Sequence, residues 1–130
     1  MKRLCALLVF WAFAAAAQAT MTAEEFDAYV TGKTLYFSSN GTAYGAEQYL
    51  DDRRVRWTFL DGQCKDGVWY AQDGQICFVY EDSPDPQCWT FERTARGLRA
   101  LFNGAQDATE LYEARQSDEP MLCLGPDVGV

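Results

Sequence analysis

From Thr34 to about Arg115 the chain repeats one unit, a run of alternating apolar and polar residues followed by a short turn, recurring roughly every ten residues. Alternation sends successive side chains to opposite faces, and connections this short join antiparallel neighbours. The pattern predicts strands at about 34–39, 43–50, 54–60, 67–72, 75–81, 87–94, 98–103 and 109–115. Turn residues separate them: Asn40-Gly41, Asp51-Asp52-Arg53, Asp73-Gly74, Ser83-Pro84-Asp85-Pro86, Ala95-Arg96-Gly97 and Gly104-Ala105-Gln106-Asp107. Asn40-Gly41-Thr42 also has the form of a glycosylation sequon, and is read as a hairpin turn. Eight short antiparallel strands protect their edges best by closing. The predicted fold is therefore all-β, an antiparallel up-and-down meander of about eight strands closed into a small barrel, with a sandwich or open curved sheet as the alternative. Such a barrel has room inside for side chains or one small ligand.

One short helix precedes the strands. Thr22-Ala23-Glu24-Glu25 forms a capping box, Phe26, Tyr29 and Val30 share a helical face, and Gly32 stops the helix. Ahead of it, Met1-Lys2-Arg3, an apolar run from Leu4 and the sequence Ala17-Gln18-Ala19 have the form of a secretory signal peptide, with cleavage expected after Ala19. The chain thus divides into a signal at 1–19 and a single domain at 20–130, and the expected location is the periplasm or the secreted fraction. The apolar run is too short to span a bilayer, and no lipid-attachment pattern surrounds Cys5.

Export would place Cys64, Cys77, Cys88 and Cys123 in oxidising surroundings. Their spacings of 13, 11 and 35 residues contain no zinc-ribbon pair and no redox Cys-x-x-Cys, so disulfides are expected rather than a metal site. Hairpin registers rank the three pairings. With a two-residue turn at Asp73-Gly74, Cys77 falls opposite Tyr70; with a loop at Asp82–Pro86, Cys88 falls near Tyr80 and Trp89 opposite Val79. That geometry favours Cys64 with Cys88 and Cys77 with Cys123, the second bond pinning the apolar tail Met121-Leu122-Cys123-Leu124 to the barrel wall. It also sends Trp69 and Trp89 to opposite faces of the sheet, which requires a cover for one aromatic row.

Composition excludes several function classes. Losing Lys2 and Arg3 with the signal takes the formal charge of −8 to about −10, and the one basic cluster, Arg53, Arg54 and Arg56, directly follows Asp51 and Asp52. Nucleic acid and anionic membranes are unsuited partners for such a chain. The absence of histidine removes imidazole-based hydrolases, histidine metal sites and imidazole proton shuttles. Most carboxylates fall in turns, where backbone bonding accounts for them, so neither catalysis nor a cofactor is expected.

The second and third strands point to a candidate site. A tight turn at Asp51–Arg53 puts Tyr49 opposite Val55, Glu47 opposite Trp57 and Gly45 opposite Phe59, all on one face. Arg54, Arg56 and Thr58 occupy the other face, so Tyr49, Trp57 and Glu47 would point inward. An inward carboxylate needs a partner such as Trp57 Nε1, a tyrosine hydroxyl or a ligand. Alternatively, Glu47 sits at a strand end and bonds to turn backbone.

The opening helix, Gly32-Lys33-Thr34, Tyr44-x-x-Glu47-x-Tyr49, Val55-x-Trp57, Gly67-x-Trp69, Ile76-Cys77-Phe78-x-Tyr80 and Cys88-Trp89 together resemble small exported alphaproteobacterial proteins of uncharacterised function. That resemblance implies a periplasmic location and a fold. In architecture the chain is similar to lipocalin-like and inhibitor barrels, which bind a ligand or block an enzyme. Two readings follow, with a monomer expected in both. One is an acidic interaction module that binds or inhibits a cationic periplasmic protein. The other is a carrier of a small apolar ligand, lined by Glu47, Tyr49 and Trp57, for which a cavity of about 300 Å³ or more is expected.

Overall fold

Eight antiparallel strands follow one another around a closed barrel in a computed structural model that describes residues 9–12, 19–105 and 108–124. Most of the expected signal segment lies outside the described residues. The strands are β1 (Thr34–Ser39), β2 (Thr42–Tyr49), β3 (Arg54–Thr58), β4 (Cys64–Gln72), β5 (Gln75–Tyr80), β6 (Gln87–Thr94), β7 (Gly97–Phe102) and β8 (Glu110–Ser117). Pairing of β1 with β8, from Thr34 opposite Ser117 to Ser38 opposite Tyr112, closes the sheet and leaves no free edge. Two tight turns have the backbone their residues favour. Asn40 and Gly41 have φ of 50° and 76°, and Asp73 and Gly74 have 51° and 74°, the left-handed pair of a two-residue hairpin.

The helix α1 (Ala23–Val30) plugs one end. Thr22 Oγ1 accepts from Glu25 N–H at 3.2 Å, the N-cap half of the expected capping box, while the Glu25 carboxylate accepts from the Thr22 hydroxyl and not from its backbone N–H. Phe26 and Val30, both fully buried, point into the barrel, where the Phe26 ring lies 4.5–6.5 Å from those of Tyr49, Trp69, Phe78 and Phe91. Backbone bonds from Met21 N–H to the Phe91 carbonyl and from Gly32 N–H to the Tyr49 carbonyl fix both ends of this plug.

The registers expected around Asp51–Arg53 and Asp73-Gly74 are observed: Glu47 faces Trp57, Tyr49 faces Val55, Trp69 faces Phe78 and Tyr70 faces Cys77. β3, however, stops at Thr58, because Leu60 adopts a positive φ of 66°, so the expected pairing of Gly45 with Phe59 is not formed. The larger correction concerns β5 and β6. Their ladder starts at Phe78 opposite Gln87 and places Cys77 opposite Cys88 and Ile76 opposite Trp89. The expected register was three residues away. Pro84 and Pro86 have no N–H to donate and hold the residues before them extended, so the connection is longer than a compact loop at Asp82–Pro86. An odd slip reverses the faces. Trp89 therefore shares the inner face with Trp69, both are buried, and no aromatic row is left needing a cover.

The same slip changes the disulfides. Cys77 bonds to Cys88 across the hairpin and Cys64 bonds to Cys123, in place of the expected Cys64–Cys88 and Cys77–Cys123. The tail is still pinned, now to the start of β4. It crosses the outer wall as a strap: Thr34 Oγ1 donates to the Glu119 carbonyl at 2.9 Å, Met121 N–H to Gln48 Oε1 at 3.4 Å, and Leu124 N–H to the Gly62 carbonyl. Met121 is buried by this contact, whereas Leu122 and Leu124 stay exposed. Two disulfides in so small a domain point to an oxidising compartment outside the cytoplasm. Among the described residues no helix is long and apolar enough to cross a membrane.

Candidate functional site

With the helix filling one end, the inner faces of all eight strands, from Phe37 on β1 to Leu111 on β8, enclose a cavity of about 50 Å³ toward the other. Glu47, Tyr49 and Trp57, the three residues singled out from the sequence, all line it. So do Tyr44, Phe59, Lys65 and Tyr80. Strand parity places Lys65 and Tyr80 there, since Lys65 lies opposite Trp57, which lies opposite Glu47, and Tyr80 lies opposite Gly67 two positions along from Lys65; Tyr44 enters at the register shift between β1 and β2, and Phe59 just past the end of β3.

Glu47 is 1 % exposed and occupies the body of β2, so it does not bond to turn backbone. Its Oε1 accepts from the Tyr80 hydroxyl at 2.8 Å. Its Oε2 is buried and has no hydrogen-bond partner among the described residues. Burial raises the Glu47 pKa well above the ordinary carboxylate value; the Tyr80 bond and the Lys65 charge oppose this and are smaller. The Tyr80 hydroxyl is raised in turn, by burial first and then by Glu47. Glu47 is thus held toward its protonated form, with one oxygen unsatisfied.

Two glycines give the framing rings their places. A Cβ on Gly67 would lie 2.8 Å from Tyr80 Cδ1 and 2.5 Å from the Val79 carbonyl oxygen, and one on Gly45 would collide with the Trp57 indole. Gly67→Ala should therefore displace Tyr80 and break its bond to Glu47. The expected cost is about 1–3 kcal/mol, read as a lower denaturant midpoint with unchanged slope. An unchanged midpoint would mean that the Tyr80 ring does not rest on this glycine.

Outside the cavity the β3–β4 connection borders a groove of about 340 Å³ with Trp57 and Phe59 beside Asp61, Glu81 and Asp82. Lys65 lies between groove and cavity. Its Nζ pairs with Asp82 Oδ2 at 3.3 Å and sits 4.8 Å and 5.5 Å from the ring centres of Tyr80 and Phe59, within the range of cation–π attraction. Phe59 and Leu60 are exposed at the rim. Comparison with known protein families, curated proteins and solved structures finds no match in any of the three.

The sequence reading missed Lys65 and Tyr80. Lys65 has the same parity as Gly67 and Trp69, which marks it as inward, but β4 begins at Cys64 and not at 67 as expected from the polar Cys64-Lys65-Asp66.

Proposed function

We propose that the protein is an exported, monomeric, disulfide-stabilised binding module whose open end engages a cationic protein of the periplasm or the secreted fraction. Where the surface it covers is an active site, binding inhibits that partner. One observation carries the reading: the groove at the open end joins three carboxylates, Asp61, Glu81 and the Lys65-paired Asp82, to exposed aromatic surface at Phe59. Carboxylates steer a basic partner in, and the apolar rim supplies burial. The formal charge of −8, carried without histidine, acts in the same direction over longer range. A barrel without edges has no strand to offer to a second copy, which supports a monomer.

The carrier reading is weaker on volume. Small-molecule pockets run to about 300–1,000 Å³, and the interior space is about 50 Å³.

The test is capture by the immobilised domain from an exported-protein fraction at about 0.02 M and about 0.5 M salt. A basic protein should be retained at low salt and released at high salt, and a variant carrying Asp61→Asn, Glu81→Gln and Asp82→Asn should retain at least tenfold less. Equal retention by the wild type and this variant would overturn the reading.

A further inference from the structure

We infer that the cavity is a receptor for one primary ammonium group, the tip of a lysine side chain of the partner, which enters past Trp57 and Phe59 and donates to Glu47 Oε2. The inference rests on the proposed function and names the group recognised. Three independent observations converge on it. The first is the unsatisfied oxygen, a buried acceptor in the cavity wall with no partner of its own. Leaving such an atom unbonded is costly, so its position invites a donor from outside.

The second is size. About 50 Å³ holds one to a few water-sized groups, which suits an ammonium tip and is too little for a whole metabolite, and a guanidinium fork would need both carboxyl oxygens where Tyr80 already holds Oε1. The third is the wall. Tyr44, Trp57 and Phe59 form a three-ring cluster with centre distances of 6.0, 5.9 and 5.3 Å, and such ring faces attract cations. Lys65 already uses this chemistry, lying over Phe59 and Tyr80 while Asp82 holds its ammonium on the groove side. An incoming ammonium reaches the carboxyl that Lys65 does not bond. It supplies a counter-charge in direct contact with Glu47, which Lys65, held by Asp82, does not, and the Glu47 proton leaves to solvent. The groups facing Glu47 are Tyr80 on β5, Lys65 on β4 and Tyr49 on β2.

A free amine would use only the cavity. A lysine borne on a protein also places its neighbours against Asp61, Glu81 and the exposed Phe59 and Leu60. We therefore commit to a lysine side chain.

The experiment is an NMR titration of the folded domain, followed at the Trp57 indole N–H and the Glu47 carboxyl carbon. Three probes are used: n-butylammonium, a capped Ala-Lys-Ala peptide and its Nε-acetylated form. Both amines should shift the two signals, the peptide at least tenfold more tightly and more strongly as pH rises; the acetylated peptide should leave them unmoved. Glu47→Gln should weaken the amines at least tenfold while keeping the folded spectrum. Binding of the acetylated peptide as well as the amine, no shift from either amine at low salt, or full amine affinity in Glu47→Gln would each overturn the assignment. Butylammonium binding as tightly as the peptide would overturn the commitment to a protein-borne lysine. The capture assay keeps the two proposals apart. If Glu47→Gln retains the captured basic partner as the wild type does while the triple rim variant loses it, the lysine receptor fails and the acidic binding module stands.

Discussion

Reduction of both disulfides should lower the melting temperature by about 20 °C or more, and under strong reductant the domain should be largely unfolded at 37 °C. The Cys64–Cys123 bond spans 59 residues and the Cys77–Cys88 bond spans 11. Loop-closure entropy then gives about 4 kcal/mol for the first and about 3 kcal/mol for the second. Their sum is comparable to the whole stability of a small domain, about 5–15 kcal/mol. The two bonds also differ in kind. Losing Cys64–Cys123 releases the strap as well, with the buried Met121 and the bonds of Thr34 to Glu119 and of Met121 to Gln48. Losing Cys77–Cys88 leaves a hairpin whose β5–β6 ladder persists from Ile76 to Phe78. The paired variant Cys64→Ala with Cys123→Ala should therefore melt lower than Cys77→Ala with Cys88→Ala. Calorimetry of the two variants beside the reduced wild type measures this. An unchanged melt on reduction would remove the bonds from the account of stability, and the reverse ranking would mean that packing around the buried Cys77 outweighs the strap.

How far the fold could be read in advance depended on the turns. Asn40-Gly41 and Asp73-Gly74 admit one hairpin geometry, so the strands on either side were legible, as was the Trp69–Phe78 pair. Asp82-Ser83-Pro84-Asp85-Pro86 dictates no turn type, and three residues of register were lost there. Disulfide assignment inherits that loss, because a cysteine's partner is whatever the register puts opposite it. The site was legible in part. Parity alone places Glu47, Tyr49 and Trp57 inside. The bond from Tyr80 could not be read the same way, since β5 is not a ladder neighbour of β2 and the two side chains meet only across the closed barrel. The room that Gly67 leaves for Tyr80 is likewise a property of three dimensions.

The second large effect is a loss of stability as pH rises, which Glu47→Gln should abolish. The folded-state pKa of Glu47 is raised well above its ordinary value of 4.5, because burial penalises the charged form. In the unfolded chain the group keeps its ordinary value. Below pH 4.5 both states are protonated and the stability is fully present. Above it the unfolded chain releases its proton first and is favoured, so stability falls by up to about 1.4 kcal/mol per pH unit until the folded group ionises too. The direction is opposite to that of a paired carboxylate such as Glu110, which Tyr112 and Arg99 hold below its ordinary value. Tyr49 and Tyr80 are raised from 10, so they titrate above this window. The difference in melting temperature between Glu47→Gln and wild type should therefore widen in favour of the variant from pH 4.5 towards neutrality and stay constant below it. Comparing the two at each pH cancels any fixed cost of burying the amide. A difference that does not change with pH would mean that Glu47 ionises normally in the folded protein, with a partner for Oε2 already in place. Adding n-butylammonium should flatten the wild-type slope, since an ammonium at Oε2 stabilises the very charge that burial opposes.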